Sequence, residues 1–160
     1  MLSFDFDKWT IRSDPDLTRE VYASIDTSGA ELCGCEECFN FAAVRHLVYT
    51  PEILNLLDWF GVDPLLESGV RHRGRLDSGL HLYSGWFHLV GEITAGPLTP
   101  VAAAREGEKS IVSLIPSGDG LQFGFSTARG NAPDEFFGLP VVQFEFCAEL
   151  PWVSNGPEPA

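Results

Sequence analysis

Leu2, Phe4 and Phe6 alternate with Ser3, Asp5 and Asp7, the period-two pattern of a half-buried strand, and Trp9 to Arg12 continues it after a shift of register. Asp14-Pro15-Asp16 reads as a turn. Val21, Ala23 and Ile25 then share one face of a second alternating stretch, ended by Ser28-Gly29, so a pair of antiparallel strands is expected ahead of residue 30. From Glu36 to Val48 the period changes. Phe39, Ala42, Ala43, His46 and Leu47 recur at three and four, with acids in the first turn, which predicts a helix. A second helix is predicted over residues 51 to 60, where Thr50 is the cap, Pro51 the first helical residue and Gly61 the stop. Its apolar face is Ile53, Leu56, Leu57 and Phe60.

Strand composition dominates after Pro64. Leu80 to Ile93 is aromatic and β-branched, and Ser110 to Ile115 and Leu121 to Ser126 flank the turn signal Pro116 to Gly120. Val141 to Leu150 alternates strictly, with Val142, Phe144, Phe146, Ala148 and Leu150 expected inward and Gln143, Glu145, Cys147 and Glu149 outward. Gly and Pro content predicts loops over 94 to 109 and 127 to 140, and a frayed tail over 154 to 160. The sum is one α+β domain over residues 1 to 153: a mostly antiparallel, twisted sheet of six to seven strands with two helices packed on one face.

Composition adds constraints. With 160 residues, 44% hydrophobic and 21% charged, the chain is of single-domain size and globular. Its formal net charge of -13 sets the mean surface field against nucleic acid and anionic membranes, and points to a basic protein as partner. Arg71-His72-Arg73-Gly74-Arg75 is the exception, able to hold a phosphate or carboxylate, or to pair with the surplus acids of the chain itself. The first residues show no basic segment followed by an apolar one, and no apolar run approaches membrane-spanning length; a cytoplasmic protein with reduced thiols is the expectation.

Three of the four cysteines, Cys33, Cys35 and Cys38, fall within six residues at a helix start. Thiolates two residues apart can present both sulfurs to one ion, so the loop is a candidate structural zinc site lacking one ligand. His46, on the same helix, is the candidate fourth ligand, although it stands two turns, roughly 12 Å, further along the axis; His72, His81, His88 and Cys147 are the other possible donors. Redox chemistry of Cys35-Glu-Glu-Cys38 and simple packing of small thiols are the other readings; Glu36 and Glu37 disfavour a thiolate beside them.

The second unusual stretch is His81 to Glu92. If Ser84-Gly85 were a hairpin turn, His81 would face His88; a straight strand, the preferred reading, separates them and makes Gly85 a bulge or a point of close approach. His88 is then a half-buried histidine bonded to a carboxylate or carbonyl. The alternative is a small enzyme, with His88 as general base beside Trp86, and Arg71, Arg73 or Arg75 on an anionic substrate. No nucleophile elbow, phosphate loop or zinc-protease motif is present, and no catalytic residue is assigned.

Cys35-x-x-Cys38-x-Asn40-Phe41, the helix from Pro51 and Gly85-Trp-Phe-His-Leu-Val-Gly91 together resemble an uncharacterised bacterial protein family, over about the central third of the chain. The resemblance implies a bacterial, cytosolic origin, but it brings no activity and no functional residue with it. The function expected is a small, acidic, non-enzymatic binding or inhibitor module whose cysteine loop holds a structural zinc.

Overall fold

The computed structural model describes residues 1–98, 121–127, 129 and 132–160, and the backbone of 115–116. The domain is α+β, with seven antiparallel strands among the described residues. β1 (Leu2–Phe6) and β2 (Trp9–Ser13) form a hairpin whose turn places Asp7 at φ 50°. The sheet is built on β4 (His81–Ala95), fifteen residues long and unbroken at Ser84-Gly85. One of its edges pairs with β7 (Val141–Leu150) from His81↔Leu150 to Val90↔Val141, and β6 (Leu121–Ser126) and β5 (Ile115–Pro116) follow. Its other edge is shared: β3 (Gly69–Arg75) takes residues 81 to 86, and β2 takes 91 to 95.

Between those two partners the edge of β4 is occupied by a helix. Asp14-Pro15-Asp16 is not a turn and residues 21 to 27 are not a strand; they belong to α1 (Pro15–Ala23) and the loop after it. Asp14 caps the helix by accepting from the Leu17 N–H at 3.0 Å, and Pro15 stands in the first turn with its φ already set. Pro15, Thr18, Val21 and Tyr22 form the buried face, a three-and-four spacing that a short alternation had masked. Side chains of α1 then take the place of a neighbouring strand. The Asp14 N–H donates to the Val90 carbonyl (3.0 Å), the Val90 N–H to Thr18 Oγ1 (3.0 Å), and the Tyr22 hydroxyl donates to the His88 carbonyl (2.7 Å) and accepts from the His88 N–H (3.3 Å). Every polar group on that stretch of edge is satisfied, as burial demands.

Among the described residues there are four α-helices, not two. α2 (Gly29–Cys33) was not anticipated; Ser28 caps it by accepting from the Glu31 N–H, and Ser28-x-x-Glu31 is the sequence signature that announced it. α3 (Glu36–Val44) runs into a 3-10 turn at Arg45–Leu47, and α4 (Pro51–Phe60) has the bounds, cap and buried face expected. The face of α3 is rotated from the expected one: Cys38, Asn40, Phe41 and Val44 are buried, while Phe39 and Leu47 stand 59% and 57% exposed. Phe41 decides this, because its ring packs between those of Tyr83 and Phe146. α3 and α4 thus lie on the face of the sheet that presents Tyr83, Phe87, Phe125 and Phe146. Gly85 is the close-approach point: a Cβ there would overlap the Phe146 ring.

The outward face of β7 is not solvated. Gln143, Glu145 and Cys147 are buried with the inward residues, and only Glu149 is exposed. Residues 154–160 form no regular element, yet the tail expected to fray is pinned: Ser154 Oγ donates to Glu36 (2.7 Å), and Glu158 meets His81 (2.9 Å). The strand expected over 110 to 114, the turn over 117 to 120 and most of the loop over 94 to 109 lie outside the described residues. β4 runs on to Ala95, and the loop expected from Thr127 contains a 3-10 turn at Asp134–Phe136.

Candidate metal centre

The cysteine loop is a helix–turn–helix corner. α2 ends on Cys33, and Gly34, at φ 70°, turns the chain through the left-handed region that only a residue without Cβ enters freely. Cys35 becomes the cap residue of α3 and Cys38 lies in its first turn. The three Sγ atoms lie within 4.8 Å of one another, with Cys33 and Cys35 at 3.2 Å. That is far beyond an S–S bond of about 2.05 Å, and all four cysteines are free. Sulfurs on a zinc with arms of about 2.3 Å stand about 3.8 Å apart, so the loop needs little adjustment to receive an ion.

Cys38 is buried, whereas Cys33 and Cys35 face solvent. Hydrogen bonds from Cys38 and Cys35 hold the Cys33 thiol below its ordinary range, and burial pushes Cys35 up and Cys38 far up. Among the described residues the three cysteines converge without a fourth donor: His46 is exposed on the 3-10 turn and is not part of the group. Cys147 is buried on β7, its thiol pushed up to about 11 by burial.

The histidines are sorted onto two networks by the straight course of β4. His81, fully buried, shares one hydrogen bond with His72 (Nδ1 to Nε2, 2.9 Å) and another with Glu158. Arg75 approaches the same carboxylate at 3.5 Å, so this arginine pairs with an acid of its own chain. His88 points to the opposite face, where Nδ1 lies 2.8 Å from Ser68 Oγ and Nε2 lies 3.0 Å from Gln143 Oε1. Trp86 shares that face; Arg73 Nε donates to Ser84 Oγ at 2.9 Å and Arg71 is exposed.

Sequence reasoning missed Ser68, Gln143, Asn40 and Glu158, each tied to a partner far away in the chain. Asn40 is the most engaged: its amide donates to the Tyr83 hydroxyl and the Pro151 carbonyl, and its Oδ1 accepts from the Val153 and Ser154 N–H groups. The Asn40-Phe41 pair after the cysteines was the available signal, since an amide on the buried side of a helix must find partners.

Fold and site define an α+β domain with a three-thiol corner able to hold a metal ion. No protein-family model, curated protein or solved structure matches the chain. No helix among the described residues is long and apolar enough to cross a membrane.

Proposed function

We propose that the protein is a metal-stabilised binding module: Cys33, Cys35 and Cys38 hold one zinc ion, and the acidic surface engages a basic protein. The convergence of three sulfurs from two helix ends supports the metal. Packing alone does not account for it, because two of the three thiols are exposed and bury nothing. Thiolates and zinc match in softness, and among the described residues no fourth donor joins them. Three thiolates give the centre net negative charge, which suppresses the Lewis acidity a catalytic zinc needs; the ion braces the corner. Holding α2 against α3 fixes the surface on which Glu31, Glu36 and Glu37 sit, and the net charge of -13 supports a cationic partner whose binding weakens as salt rises.

Elemental analysis of protein purified without chelator or histidine tag, with thiol titration, tests the reading. The expected result is one zinc per chain and three thiols that react only after chelator is added. Metal-free protein with readily titrated thiols would overturn it.

A further inference from the structure

A second place in the fold has the parts of a nucleophilic site, independent of the cysteine corner. A cavity of about 460 Å³ opens between the loop after α1, the segment preceding β3 and residues 132–135. That volume lies in the range of small-molecule sites. Ser68 lines it, half-buried, and its hydroxyl meets the fully buried His88 ring at 2.8 Å.

The direction of that hydrogen bond follows from the groups behind it. Glu145 accepts from the Ser126 hydroxyl at 3.1 Å and from the Gln143 amide N–H. With its NH₂ committed to the carboxylate, Gln143 turns its carbonyl oxygen to His88 and accepts from Nε2–H. The neutral imidazole then has its lone pair at Nδ1, and Ser68 Oγ–H donates to it. A carboxylate thus sets an amide, the amide sets a tautomer, and the tautomer places a base on a hydroxyl at a cavity wall. This is the arrangement of nucleophile, base and orienting group that acyl transfer uses, assembled from β4, β7 and the residue preceding β3.

We infer that Ser68 is a nucleophile, activated by His88, for carboxylic esters that are neutral or cationic. Ser68 Oγ attacks the carbonyl carbon while its proton passes to His88 Nδ1. The bond to the leaving oxygen breaks and the leaving alcohol takes that proton. Water then attacks the acyl-serine, gives a proton to Nδ1, and Ser68 recovers it as the acid departs. The imidazolium formed between is stabilised through Gln143 by Glu145. Charge preference comes from the lining: among the described residues it includes Asp26, Glu67, Asp134 and Glu135 and no basic residue, while Ile25 and Leu66 supply apolar wall.

The test is reaction of the purified chain with a fluorophosphonate, in which Ser68 Oγ displaces fluoride from phosphorus, read by intact mass and peptide mapping. One adduct on the peptide containing Ser68 is expected, absent in Ser68→Ala and formed about 100-fold more slowly in His88→Gln. The wild-type chain supplies a control that needs no variant: the labelling rate should rise with pH through a single ionisation and level off once the imidazole is neutral. No adduct, an adduct retained in Ser68→Ala, or a rate that climbs with hydroxide without levelling would overturn the assignment. A cationic acetate ester should be hydrolysed with kcat/KM at least tenfold above an anionic one; the reverse order would overturn the substrate class.

Discussion

Glu67 shows how much one residue contributes when it is taken wholly out of water. Its Oε1 accepts from Arg45 at 3.0 Å and from the Ala30 N–H at 3.3 Å, while Oε2 has no partner among the described residues. Burial raises the carboxyl above its usual range, and the Arg45 guanidinium pulls against that rise. A raised folded value means that the protonated form is favoured on folding. The contribution is fully present below the unfolded value, ordinarily 4.5, and is lost as pH rises through the higher folded one. In urea denaturation, wild type should therefore lose stability relative to Glu67→Gln as pH climbs through that window. Arg45→Ala should cost about 3–5 kcal/mol at neutral pH, with part of the loss recovered in acid, because it leaves an uncompensated buried charge. A loss under about 1 kcal/mol at neutral pH would show that water reaches the carboxylate. Nothing in the sequence announced this pair, whose members are 22 positions apart and join only when α2 is laid against the start of β3. His88 stands out in the sequence as a candidate base, but its partner Ser68 does not, since their contact depends on a register that spacing does not disclose.

Elements were legible in proportion to how local their signals are. At α4, a cap, a proline, an acid and a terminal glycine all lie within twelve residues, and both ends came out as expected. The same cap–proline–acid signature stands at Asp14-Pro15-Asp16, but three alternating apolar residues after it outweighed it; so short an alternation fits either period. The second face of β7 was misjudged because alternation shows where apolar residues point and not whether the polar ones are covered. α1 makes a prediction of its own. Thr18→Val removes the acceptor for the buried Val90 N–H and should cost about 1–3 kcal/mol, with faster hydrogen exchange at Val90 and little change at α4. The tail makes another. His72 is pushed below its ordinary value by burial and by His81, partly opposed by Glu37, and Glu158 is pushed below its own by the His81 hydrogen bond and Arg75. The Glu158 shift favours the carboxylate, so docking is present above its ordinary value of 4.5 and is lost as pH falls through the lowered one. Trp152, whose ring lies 5.3 Å from that of His81, should report release by a change in fluorescence that is absent in Trp152→Phe. Glu158→Gln, which has no carboxylate to titrate, should show the released signal above that window as well.

At the scale of the molecule, the proposed zinc site ties metal binding to folding, because the corner that collects the sulfurs is made by two helices meeting. With zinc at about 100 times its dissociation constant, the folded state gains about 2.7 kcal/mol, and a domain of this size should melt roughly 5–10 °C lower in chelator. An unchanged melt in protein shown to contain zinc would mean that the corner stands without it. The sheet has a further consequence. Strands β2 and β3 share one margin of β4, and the interval between them is closed by a hydroxyl, a phenol and a capping residue from α1 in place of a third ribbon. If α1 peels away, four residues of naked β4 backbone are presented in register, flanked by strands that already fix their spacing. α1 thus guards that stretch of the β4 edge. The first oligomers to form on destabilisation should be joined there, by strand exchange between chains, before the rest of the domain has unfolded.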